Sequence, residues 1–323
     1  MRRGLASIAV LIVLGLVAVG VYSASRNGVG PFAEPEGCTA TVSSRTVSLS
    51  TTQAANASLI AAVAGHRGLP ARAVSIALTA AYQESKIENL AYGDSDSLGL
   101  FQQRPSQGWG TPKQIMNRYY ATNAFYEALE RIPGYQTMSI TKAAQEVQHS
   151  AYPRAYAIHV PDARALASAL TGFSRASFSC VVHTQKLAVQ RMQADGLTAR
   201  ANSLRSRIAR AYGDLPLGGF APGGVTAGHM AGSAHYEGRA VDVFFRPISR
   251  DNTIRGWGLA QYLVANAAGL HIEHVIFDRR IWTAGSESAR GWRHYTPPGL
   301  TGGESAATLA ILEHRDHVHV DVW

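Results

Sequence analysis

HRDHVHVDVW, residues 314–323, decides how the second half of this chain is read. At a period of two, Val318, Val320 and Val322 fall on one face of a strand and His317, His319 and Asp321 on the other. The apolar face asks for a core. The polar face is either a solvated edge or a set of metal ligands. Upstream, RAVDVFF (239–245) and HVIFDRRIW (274–282) are strand-like, and GWGLAQYLVANAAGL (256–270) is helical. Residues 215–323 therefore read as an α+β unit built on an antiparallel sheet.

Within that unit, SAHYEGRAVDV (233–243) separates His235 from Asp242 by six residues, with Asp242 flanked by Val241 and Val243 as in a strand. Imidazole nitrogen and carboxylate oxygen are both good zinc ligands, and a third ligand from the terminal H-x-H leaves a fourth position for water. Three ligands with an open position mark catalysis. With only two cysteines, Cys38 and Cys180, a cysteine-type structural site is excluded.

Ser233, His235, Gly238, Ala240 and Asp242 fill S-x-H-x-x-G-x-A-x-D, and His317-x-His319 follows in the right order. Together they resemble the D-Ala-D-Ala metallopeptidase branch of the LAS zinc peptidases, over roughly residues 215–323. The resemblance implies zinc held by His235, Asp242 and His319, with His317 beside it as oxyanion stabiliser or proton carrier. His314 and Asp321 then have no part. That branch takes its catalytic carboxylate from E-x-x-H, where this chain has Asp316, with Glu313 and Glu237 as weaker candidates for the base. The implied substrate is a peptide bond of the peptidoglycan stem. Ser233, Arg280 and Trp282, with Arg279, Trp292 and Tyr295, are candidates to line the substrate cleft, the arginines facing a carboxylate.

The first half is helical in pattern. Segments 56–68, 70–85, 111–129, 139–150 and 161–172 carry apolar residues at three- and four-residue spacing, and Thr111, Pro112 and Gln114 form a capping-box start. In ALTAAYQESKIENLAYGDSDSLGLFQQRP (77–105), Glu84 ends an apolar helix, where burial would keep a carboxyl protonated as an acid. Glu84-Ser85, Ser97-x-Gly99-Leu100-x-Gln102 and Pro105 resemble the core of the Slt-type lytic transglycosylases of the lysozyme superfamily, over about residues 55–175. In those enzymes one glutamate serves as acid and then base, and the muramic 6-hydroxyl attacks from within the substrate. The resemblance implies that role for Glu84, with Ser97 and Gln102 facing the sugar. Ala151-Tyr152 and Ala155-Tyr156 stand where the family has its A-Y-N-A-G cleft motif. Asp94 and Asp96 lie near should a carboxylate pair hydrolyse the glycan instead.

At 323 residues, 46% hydrophobic and 16% charged, the chain suits a globular protein of more than one domain. MRRG precedes an uncharged apolar run, residues 5–21, close to bilayer-spanning length. Residues 1–25 are therefore expected to be a membrane anchor with a cytoplasmic N-terminus, or a signal peptide cut near Val21–Ala24. Either way the bulk lies outside the membrane, facing the cell wall. There an even cysteine count suggests a Cys38–Cys180 disulfide, with two free thiols as the alternative. The expected order is spacer 26–54, all-α lysozyme-like domain 55–182, helical linker 183–214 and zinc peptidase-like domain 215–323. The net charge of +8 suits the polyanionic wall, and no recognition motif supports nucleic acid. The combined expectation is a bifunctional peptidoglycan hydrolase, with a wall-binding scaffold of a secretion or conjugation apparatus as the alternative.

Overall fold

A computed structural model describes residues 34–150, 152 and 154–323. The expected anchor, 1–25, lies outside the described residues, among which no helix is long and apolar enough to cross a membrane.

The described residues open on a hairpin, β1 (Gly37–Val42) and β2 (Arg45–Leu49), within the segment 26–54 that the sequence reads as a spacer. The correction follows from period two. Cys38, Ala40, Val47 and Leu49 are buried, while the hydroxyl residues between them are mostly exposed. Ser50 then caps helix α1 (Thr51–His66) in a reciprocal capping box with Gln53. From Asn56 to Ala64 every residue of α1 is buried. Its alanines let neighbours approach from all sides, so α1 is a central helix rather than an amphipathic surface one.

Around it lie α2 (Ala71–Ser85), α3 (Arg118–Glu130), α4 (Ile140–Gln148) and α5 (Val160–Leu170). Strand β3 (Phe178–Val181) returns to pair with β1, giving a sheet of order β2-β1-β3. The first half is thus mostly, not wholly, helical. Cys38 and Cys180 are direct partners in the β1–β3 register and are joined by a disulfide across a separation of 142 residues. Closing so long a loop restrains the unfolded chain, so Cys38→Ser is expected to cost about 2–5 kcal/mol. Urea midpoints with and without reductant check this. Reductant should lower the midpoint of the wild type alone, and an insensitive wild type would overturn the expectation.

Of the residues expected as a helical linker, 183–198 carry no helix and the helix α6 (Ala199–Tyr212) packs its Leu204 and Ile208 into the core. The second half continues with β4 (Leu217–Gly218), β5 (Ala240–Phe244), α7 (Arg250–Ala265), β6 (Ile272–Phe277), β7 (Arg280–Thr283), β8 (Arg293–His294), α8 (Ala306–Leu312) and β9 (His317–Val322). Its sheet has the order β4-β5-β9-β6-β7-β8, each pair antiparallel. The molecule is therefore a mixed α/β protein with antiparallel sheets.

The two halves share one core. Helix α7 lies between them, packed on α1 and β3 on one side and on β6 and β9 on the other. Its buried Gln261 accepts from the Phe178 backbone N–H at 2.8 Å and donates to the Ala169 carbonyl at 2.6 Å. The Trp282 indole donates to the Cys180 carbonyl and that of Trp292 to the Phe178 carbonyl. Gln261, Trp282 and Trp292 thus each find a partner across the junction, as burial of polar groups requires.

Candidate metal centre

Strand β9 occupies the middle of its sheet, and all six of its residues are buried. The face carrying His317, His319 and Asp321 lines a cleft of about 820 Å³. The register pairs His319 directly with Asp242 of β5. His235 comes from the short turn Ala234–Glu237, which Ser233 caps by accepting from the His235 N–H. Gly238, at a φ of 65°, turns the chain from there towards β5.

Three donor atoms converge. His235 Nε2 lies 3.1 Å from His319 Nδ1 and 3.2 Å from Asp242 Oδ1, and His319 Nδ1 lies 3.0 Å from Asp242 Oδ1. Zinc bonds of 2.0–2.1 Å at tetrahedral angles put donors roughly 3.3 Å apart, so the set fits a zinc ion. The free nitrogens are chosen by the bonds on the others. His235 Nδ1 donates to the Gly219 carbonyl at 2.6 Å, which leaves the Nε2 lone pair for a metal. Gly219 sits at a φ of 78°, and a Cβ there would lie 2.2 Å from the His235 ring. Only glycine allows the carbonyl this approach.

The centre favours positive charge. Burial alone would hold His319 neutral, but its bonds to Asp242 and Asp321 outweigh burial and raise its pKa to about 9. Burial alone would raise Asp242, yet His235 and His319 hold it well below the usual carboxylate range. Beside them, His314 is pushed down to about 3 by burial and by the nearby His319 and His317.

Asp316 is placed differently from the base expected. Its Oδ1 accepts from His317 Nδ1 at 2.8 Å, and its Oδ2 accepts from Arg246 Nε at 2.7 Å. Both oxygens are engaged, so Asp316 orients its neighbours. His317 Nε2 is the free nitrogen and lies 3.9 Å from Asp242 Oδ1. Glu237 pairs with Arg239 at the surface, and Glu313 lies near Arg279 and Arg315, outside the cleft lining.

The expected cleft residues divide. Ser233 and Tyr295 line the cleft. Arg280 is exposed away from it, and Trp282, fully buried, packs against the first half. The guanidinium groups of the cleft are those of Arg239 and Arg246. His229 was not foreseen. Its ring stacks on that of His235 at 3.9 Å, and it could serve with His235 and Asp242 as a metal ligand. It lies in a glycine-rich loop with no periodicity to mark it. Glu273 and His274 on β6 also face the cleft.

In the first half, Glu84 ends α2, partly buried, and accepts a 2.5 Å hydrogen bond from the Tyr156 hydroxyl. The Tyr156 hydroxyl is thus a direct partner of the Glu84 carboxyl. Ser85 donates to the Leu100 carbonyl at 2.7 Å and ties the helix end to the following loop. Ser97 and Gln102 are placed otherwise than expected. Ser97 is buried, and the Gln102 amide donates to the carbonyls of Tyr92 and Gly99, so Gln102 braces that loop. Asp96 is bound by Arg104 and Ser106, leaving only the exposed Asp94 free of such ties.

A family described as VldE, C-terminal domain, matches residues 193–304. The matched span contains His229, His235 and Asp242 and stops before Asp316, His317 and His319. No curated protein matches the chain.

Proposed function

We propose that this protein is a zinc-dependent peptidase acting on peptidoglycan stem peptides, with a second, glycan-cutting site at Glu84. The convergence of His235 Nε2, Asp242 Oδ1 and His319 Nδ1 at one end of an open cleft, beside an oriented Asp316–His317 pair, carries the reading. Zinc in this site supplies Lewis acidity and a lowered pKa for water. The chain's own groups do the rest. His317, with Nδ1 committed to Asp316, presents Nε2 to the cleft to take a proton and return it to the leaving amine. Arg239 is already paired with Glu237 and Glu273, so the exposed Arg246, beside Asp316, is the cleft cation assigned to a substrate carboxylate in place of Arg280.

For the second site, the supporting observation is the short Tyr156–Glu84 bond, which fixes the carboxyl of a residue poised as acid and then base. The Cys38–Cys180 bridge suits an oxidising compartment, consistent with a chain anchored in the membrane, or released from it, and facing the wall.

Mass spectrometry of fragments released from purified peptidoglycan, with and without chelator, tests both sites at once. Peptide cleavage should vanish with chelator, and glycan cleavage should persist. Binding to wall with no soluble fragment in either condition would instead favour a scaffold.

A further inference from the structure

Asp321 is the one carboxylate on β9 that no step above uses. It is buried in the strand beside a proposed ligand, and its surroundings are built around it. Opposite Asp321, strand β6 breaks register. Ile272 pairs with Val322, but the next partner of Asp321 is His274, so Glu273 is the extra residue of a bulge. Bulges re-aim side chains next to active sites. Here the bulge brings His274 onto Asp321. The His274 backbone N–H donates to Asp321 Oδ1 at 2.9 Å, and the ring Nδ1 lies 3.0 Å from the same oxygen. The other oxygen, Oδ2, lies 3.3 Å from His319 Nε2.

An imidazole offers its metal the nitrogen that its other partner leaves free. In His319 the partner of Nε2 is Asp321, and Nδ1 is left facing His235 and Asp242. We infer that Asp321, held by His274, is a positioning residue that selects Nδ1 of His319 as the metal donor and fixes the plane of its ring. The inference rests on the zinc reading above. Glu273, His274 and Asp321 also lie close enough together to hold a cation of their own. Their existing bonds argue for positioning instead. Asp321 is engaged by both histidines, and Glu273 faces the guanidinium of Arg239 at 3.1 Å, which puts a positive charge where a second cation would sit.

Zinc titration of the full-length protein against a chromophoric chelator tests this, with cobalt absorption as a second readout. Asp321→Asn keeps the shape and removes the charge, and it should weaken zinc binding about 10–100-fold. It should also shift the cobalt spectrum. His274→Gln should weaken binding less, because the backbone N–H still holds Asp321, and it carries the test should Asp321→Asn fail to fold. Every folded form should bind one zinc per chain. Unchanged affinity and cobalt spectrum in folded variants would overturn the positioning role. So would two zinc ions in the wild type falling to one in His274→Gln, which would mark a second cation site. A wild type that binds no zinc would instead overturn the reading on which this inference rests.

Discussion

Replacing His235 by alanine is expected to remove stoichiometric zinc from the purified protein and to end chelator-sensitive peptide release. The imidazole supplies one of the three converging donors of the proposed site and also belongs to the His229–His235–Asp242 group, and it is held in place by the Gly219 carbonyl rather than by a replaceable side chain. Two remaining donors, Asp242 and His319, face each other at 3.0 Å and would pair as carboxylate and imidazolium. The loss should therefore exceed the 10–100-fold that removal of a supporting group outside the ligand set costs. Elemental analysis of protein purified without added metal checks it. Zinc content equal to the wild type's would sink the assignment. Glycan cleavage should survive, because His235 and Glu84 belong to different elements.

Glu84→Gln is expected to lower glycan cleavage and the yield of anhydro-muropeptides by about 10²–10⁴-fold, the usual worth of a general acid–base group. The substitution is isosteric, and the amide oxygen still accepts from Tyr156, so the helix end should stay folded. Zinc content and peptide cleavage should not change. The nearby carboxylates do not offer a simple substitute, since Asp96 is held by Arg104 and Ser106. Persistent anhydro products in the variant would remove Glu84 from the chemistry.

What could be read from the chain alone depended on how local the signal was. The alternation of Val318, Val320 and Val322 against His317, His319 and Asp321 made β9 legible, and the S-x-H-x-x-G-x-A-x-D pattern made its partner strand legible. The disulfide followed from an even cysteine count. The hairpin at 37–49 was hidden because threonine and serine serve equally in loops and on the outward face of a strand. Trp282 and Gln102 were misjudged because an indole or an amide looks the same in sequence whether it meets a ligand or a backbone carbonyl. His229 and His274 stayed invisible for a different reason. One owes its place to a glycine-rich loop and the other to a bulge, and neither leaves a period in the sequence.

The position of β9 has a temporal consequence. It follows both β5 and β6 in sequence, yet it is inserted between them, and they are not paired with each other. Until β9 is seated, the larger sheet is two separate pieces, β4-β5 and β6-β7-β8, and His317 and His319 stand apart from Asp242. Pairings between partners so distant in sequence form late, because loop closure must be met before any contact rewards it. The proposed metal centre should thus assemble only when β9 joins the two pieces, later than the local helical contacts of the first half.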